Sequence, residues 1–184
     1  MFFLILFTQK EITKTFLIFL TSCVVIGISA EVIGIKTGWL FGSYSYGNVL
    51  GPKIMEVPVI IGINWFIIIY CCGISVATML RKLTLQLPEG AVLPRPRLQV
   101  ASMLVDGAML AVLFDWILEP VAIKLGYWTW KGSEVPFYNY LCWFVISCCL
   151  LAIFHFCSFE KENKFAVNLL LIQAMFFLLL RTFL

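Results

Sequence analysis

The chain alternates long apolar runs with short polar punctuation. Thr15 to about Ile35, Val57 to about Leu80, Val100 to about Ile123, Phe137–Cys157 and Phe165–Phe183 are the five runs. Roughly 20 apolar residues at helical rise cross a bilayer's hydrocarbon, so each run predicts a spanning helix. Together they predict an all-α, polytopic transmembrane bundle, a single integral membrane domain over residues 1–184. Met1–Phe7 is apolar but too short to span, and reads as an interfacial stub or the remnant of a longer helix. No basic stretch precedes it and no small-residue cleavage site follows it, so it is not read as a signal peptide. Pro58 suits the first turn of the second run. Pro120 should end or kink the third. The stretch 34–52 does not fit the pattern: it holds five glycines, Trp39, Tyr44 and Tyr46, and few charges. It is too glycine-rich for a helix and too apolar for a solvated loop. It reads as a re-entrant or interfacial segment, tolerable at membrane depth only where it is buried in protein or lines a cavity. Lys124–Val135 is a second aromatic connection, with Tyr127, Trp128 and Trp130.

Composition sharpens this picture. The chain is 62% hydrophobic and 12% charged, with a mean hydropathy of +1.00. That excludes an ordinary soluble domain, which is about a quarter charged. The net charge of +3 is spread thinly, without the basic patch that nucleic acid requires. The seven cysteines lack C-x-x-C spacing, and the adjacent pairs Cys71–Cys72 and Cys148–Cys149 point in different directions on a helix. They read as small apolar filler. The lone histidine, His155, cannot build a metal cage. No cofactor and no metal site is expected. Arg81, Lys82, Arg95 and Arg97 mark the connection 81–98 as cytoplasmic, and alternation puts Lys10, Lys14, Lys161 and Lys164 on the same side.

Acidic residues supply the candidate chemistry. Asp115 and Glu119 lie four apart in the third run, on one helical face. A carboxylate in a bilayer costs roughly 3 kcal/mol or more. Two on one face need a protein-lined cavity, protons or partners. Under the predicted topology, Glu31 ends the first span in the same leaflet, together with the glycine–tyrosine segment and the tryptophan connection. Asp106 lies about half a turn out of phase. A structural alternative has Glu31, Asp115 and Glu119 bonding across helices to Tyr44, Tyr46, Asn64 or Trp128, with Lys36, Lys53 and Lys124 as candidate ion-pair partners. Glu56 and Glu134 read as interfacial charges, and Trp128 and Trp130 as interface anchors. Trp65 and Trp116 lie deeper or beside the acids, where a π-face can stabilise a developing cation.

Residues 31–65, EVIGIKTGWLFGSYSYGNVLGPKIMEVPVIIGINW, and 114–130, FDWILEPVAIKLGYWTW, resemble two blocks of the membrane carotenoid-biosynthesis proteins of the carotenoid 1,2-hydratase type. That group includes γ-carotene, lycopene and bisanhydrobacterioruberin hydratases. The likeness covers about residues 20–160. The chain is short for the family, with fewer helices expected ahead of the first block, and its last span carries no motif. The resemblance implies addition of water across the terminal C1–C2 double bond of an acyclic carotenoid ψ-end. Such an alkene must first be protonated at C2, leaving a tertiary cation at C1. That needs a carboxylic acid still protonated at neutral pH, which an apolar site favours. A second polar group then positions water and takes its proton. On this reading Asp115 and Glu119 supply one member of the acid–base pair and Glu31 supplies or orients the other. Tyr44, Tyr46 and Asn64 hold water or the nascent hydroxyl. The partners implied are a membrane-dissolved carotenoid, the lipid bilayer of a prokaryotic inner membrane, and other enzymes of the carotenoid pathway. Two alternatives stay open: an end-group cyclase, which also begins by protonation but excludes water, and a non-catalytic carotenoid-binding or scaffold protein.

Overall fold

The first span starts where a hydroxyl can cap it. Thr13 accepts from the Phe16 amide at 3.2 Å, satisfying one of the donors a helix start leaves open. In the computed structural model, which describes residues 1–88, 95–132 and 134–184, this helix, α2, runs Lys14–Thr37. It follows a short helix, α1, at Phe2–Thr8. Gly38 closes α2 at φ 67°, a left-handed conformation that glycine takes without strain. The other long helices are α3 (Val59–Leu85), α4 (Pro96–Lys124), α5 (Phe137–Phe156) and α6 (Lys164–Phe183). All five are long and apolar enough to cross a membrane. The chain is therefore helical and multi-pass.

The spans sit where the apolar runs predict, with two differences. Arg81 and Lys82 fall inside α3, which runs on to Leu85. Part of the predicted connection 81–98, residues 89–94 with Pro94, lies outside the described residues. Pro120 does not end its helix either. α4 continues through it to Lys124, because the single amide that proline lacks is lost within a helix held on several sides.

α3 is the axis of the bundle, packing against α2, α4, α5 and α6. From Ile61 to Val76 it is buried on nearly every face. Close approach depends on small residues, as is usual between membrane helices. A Cβ on Gly73 would sit 2.9 Å from the Phe154 ring, and one on Gly107 2.7 Å from Leu151. At one end a polar knot ties α1 to the bundle. Tyr70 donates to Gln9, while Asn163 donates to Tyr70 and to Thr8, both at 3.1 Å. Residues such as Ile18, Val25, Met109, Val145 and Phe176 face outward, as lipid-facing surfaces do.

The opposite end carries what strand structure there is. The glycine–tyrosine stretch and the tryptophan connection are not separate loops. β1 (Tyr44–Tyr46) pairs antiparallel with β4 (Trp128–Trp130), Tyr44 opposite Trp130 and Tyr46 opposite Trp128. The Gly47 amide to Tyr127 O at 2.8 Å and the Lys131 amide to Ser43 O at 3.0 Å extend the ladder. A second hairpin pairs β2 (Lys53–Ile54) with β3 (Val57–Pro58). Its turn, Met55-Glu56, has φ of 49° and 73°, the primed twist that suits a two-residue hairpin. Pro58 thus sits at the cap of α3 rather than inside its first turn.

Candidate active site

Side chains alternate along a strand. In β1 and β4 that rule puts Tyr44, Tyr46, Trp128 and Trp130 on one face, against Ser45 and Thr129 on the other. Ser45 and Thr129 are exposed. The aromatic face closes over the ends of α2, α3, α4 and α5, and beneath it lie the three acids. Glu31, Asp115 and Glu119 are 4%, 2% and 2% exposed, so each needs polar partners.

Each acid is held differently. Glu31 is saturated with donors. Tyr44 and Tyr46 both donate to Oε2, the latter at 2.9 Å, and Trp65 Nε1 donates to Oε1 at 3.0 Å. Burial first, then the charge of Glu31, pushes both phenols well above their ordinary value, so they remain donors. Glu119 receives two indoles on one oxygen, Trp128 at 2.8 Å and Trp130. Asp115 receives one amide, Asn139 Nδ2 to Oδ2 at 2.9 Å. The second oxygens of Asp115 and Glu119 receive no donor among the described residues.

The three acids line one void with Phe41, Asn64, Trp65 and Trp143. It measures about 30 Å³, room for a water molecule or two. Asn64 lines it with an amide that bonds no protein group among the described residues. Trp65 stacks on Trp143 with centroids 3.9 Å apart and planes 14° from parallel. Phe41 closes another side at φ 68°, an unusual angle for a bulky side chain and of the kind that collects at functional sites.

Most of the predicted constellation converges. Glu31, Tyr44, Tyr46, Asn64, Trp65, Asp115 and Glu119 all line the void. Trp116 does not. It is 46% exposed and lies under the Arg181 guanidinium at 4.2 Å, because the residue next to Asp115 points away from it on a helix. The predicted lysine partners are also elsewhere. Lys53 donates to Tyr46 O at 2.8 Å and to Asn48, and the ion pairs among the described residues are Lys10–Glu160 and Arg81–Glu162. Asp106 takes its bond from Ser102, outside the site.

The whole chain, residues 1–184, matches the family described as carotenoid biosynthesis protein. The chain belongs to this family. A curated relative of this carotenoid biosynthesis protein is the bisanhydrobacterioruberin hydratase of Haloarcula japonica, 25% identical over 137 residues, which cover 72% of this chain and 42% of the relative. The match thus spans somewhat under half the length of this relative. No solved structure matches it.

Trp128 fits the structural alternative read from sequence, as a partner of a buried acid, whereas Trp130, Asn139, Trp143 and Phe41 carry no site role in the sequence reading. Trp128 and Trp130 bond Glu119 rather than anchoring an interface. The W-T-W alternation, set against Y-S-Y, was the available signal. Asn139 and Trp143 sit four apart at the start of α5, on one helical face. A buried asparagine one turn from a tryptophan was their only mark.

Proposed function

We propose that this carotenoid biosynthesis protein is a hydratase that adds water to the C1–C2 double bond of an acyclic ψ-end. The observation that carries the reading is the water-sized void faced by three buried carboxyl groups of unequal hydrogen bonding. Asp115 has an oxygen free of donors and carries the proton there. It protonates C2, and the alkene π electrons form the new C–H bond, leaving the tertiary cation at C1. Water held by Asn64 and Glu119 adds its oxygen lone pair to C1. Glu119 takes the released proton, which returns to Asp115 through the same void. One water is consumed and no net proton moves, so the site needs no proton path to bulk solvent during turnover.

Hydration is favoured over cyclisation because cyclisation requires a dry site, and here donors and acceptors face a space of water size. That space is too small for a dimethyl-alkene end, so binding a substrate end must open the ring of helices. The other end of the polyene stays in the bilayer. The curated hydratase relative supports the same chemistry. The basic residues support an orientation with the site in the non-cytoplasmic leaflet.

The test is expression in bacteria that accumulate lycopene, γ-carotene or a C50 precursor, followed by chromatography with mass detection. A more polar pigment heavier by one water is expected from at least one host. An isomer of unchanged mass would replace hydration by cyclisation. Unchanged pigment in every host, with the protein verified in the membrane, would refute the reading.

A further inference from the structure

Protonating an alkene in hydrocarbon surroundings leaves a tertiary cation, and something must hold it until water arrives. The apolar groups around the void differ in what they offer such a charge. Ile61 and Leu118 offer none. Trp143, backed by Trp65, offers the negative outer face of an indole whose inner face is stacked.

This pair is fixed in place. Gly27 lies behind Trp65, where a Cβ would fall 2.6 Å from Cγ. The indole N–H of Trp65 is tied to Glu31 at 3.0 Å, and Trp143 stacks against the ring at 3.9 Å. Glu31 receives donors on both oxygens, three in all. A carboxylate so engaged is poorly placed to shuttle a proton. It is well placed to put negative charge at the edge of an indole, and a hydrogen bond into a carboxylate enriches the π-face of the donor ring.

We propose that the Trp65–Trp143 stack, charged through Trp65 by Glu31, is a cation-holding wall, and that the site therefore binds lipophilic tertiary ammonium compounds as stable copies of the cation. The assignment of Trp143 to catalysis rests on the hydratase reading, whereas ammonium binding is measured without turnover. Trp143 meets the cation. Glu31 and Gly27 are positioning residues that act through Trp65. Trp143 is the residue to change, since it makes no side-chain hydrogen bond among the described residues, so its loss removes π-surface and packing but no polar partner of the acids.

The probe is N,N-dimethyldodecylammonium, compared with 2-methyltetradecane, in which C–H replaces N–H⁺. The full chain is placed in phosphatidylcholine nanodiscs, and binding is read by tryptophan fluorescence and by melting temperature. The ammonium compound is expected to act at about tenfold lower mole fraction than the alkane. Trp143→Leu should abolish that preference, and Trp143→Phe should keep part of it. Equal action of the two probes on the wild type overturns the proposal. So does a preference undiminished in Trp143→Leu, which would show that the carboxylates attract the cation by charge alone. If Trp143→Leu does not fold, Trp143→Phe decides: a reduced preference supports the wall and an unchanged one overturns it. The two readings fail separately. Hydration of a carotenoid without ammonium preference leaves a hydratase with no such wall. A Trp143-dependent preference without hydration of any ψ-end carotenoid leaves the wall and removes the hydratase.

Discussion

Asp115 and Glu31 are both buried carboxyl groups, yet an amide in place of each has different consequences. Asp115 has one donor, Asn139, on one oxygen. An asparagine there can turn its carbonyl toward Asn139 and leave its NH₂ to the void. Glu31 has donors on both oxygens, so a glutamine must set an N–H against a donor and lose stability by about 1–3 kcal/mol. Asp115→Asn is therefore the cleaner variant. It should melt like the wild type and lose at least about a hundredfold in turnover, the lower range of general acid catalysis. Full activity would remove Asp115 from the mechanism. Tyr44 and Tyr46 give a second prediction, this one about pH. Burial and then Glu31 raise both phenols above their ordinary value. The folded protein holds these protons more tightly than the unfolded chain, whose tyrosines titrate near about 10. Stability from this source is complete below about pH 10 and falls as pH rises beyond it, since only the unfolded chain then releases protons. A titration at 295 nm should find both phenols silent at pH 11 until the protein unfolds. Replacing Tyr44 and Tyr46 by phenylalanine should shrink the late step by their share, leaving that of other buried tyrosines such as Tyr70. Individual acids were legible in the sequence because charge in an apolar run stands out. Of their donors, Tyr44, Tyr46 and Trp128 were legible as candidates, but which acid each serves, and the parts of Trp130 and Asn139, were not, because tryptophan and tyrosine are common at membrane interfaces and only pairing in space gives them a task.

The spans could be placed from hydropathy because the bilayer demands one length and one composition. The strands could not. β1 and β4 lie over 80 positions apart in the chain and have only three residues each. The hairpin turn Met55-Glu56 lacks the Asn-Gly or Asp-Gly that announces its type. Glycine density correctly signalled a broken helix, but the partner of the broken segment was not written locally. The β1–β4 pair nonetheless controls the site, because it aims Trp128 and Trp130 at Glu119. Gly47 is the point at which to test this. It borders the ladder so closely that a Cβ would sit 2.1 Å from the carbonyl oxygen of Gly126. Backbone cannot yield as a side-chain tip can, so Gly47→Ala must separate the strands locally. We expect destabilisation of about 2 kcal/mol or more, and turnover reduced even where the helices stay folded. Wild-type melting and wild-type hydration in this variant would show that the strand pair is only a cover.

At the scale of the molecule the bundle is chemically lopsided. The acids, the strand pair and the void sit at the end where α2 and α4 finish and α3 and α5 begin. The opposite end gathers Lys10, Lys14, Arg81, Lys82, Arg95, Arg97, Lys161 and Lys164, which is eight of the 13 basic residues. Basic residues are retained on the cytoplasmic side during insertion. This asymmetry predicts that the site end faces away from the cytoplasm and, on the proposed hydratase reading, that its water comes from that side. Val49 lies at the site end and is 65% exposed, and Leu87 lies at the other and is 39% exposed. Cysteine at each position, compared with the parent chain to subtract its native thiols, reads the orientation directly. A membrane-impermeant maleimide applied to intact cells should label Val49→Cys and should reach Leu87→Cys only after permeabilisation. The reverse pattern would place the three acids in the cytoplasmic leaflet. The substrate end would then have to reach that leaflet, and five basic residues would have prevailed over eight in setting the topology.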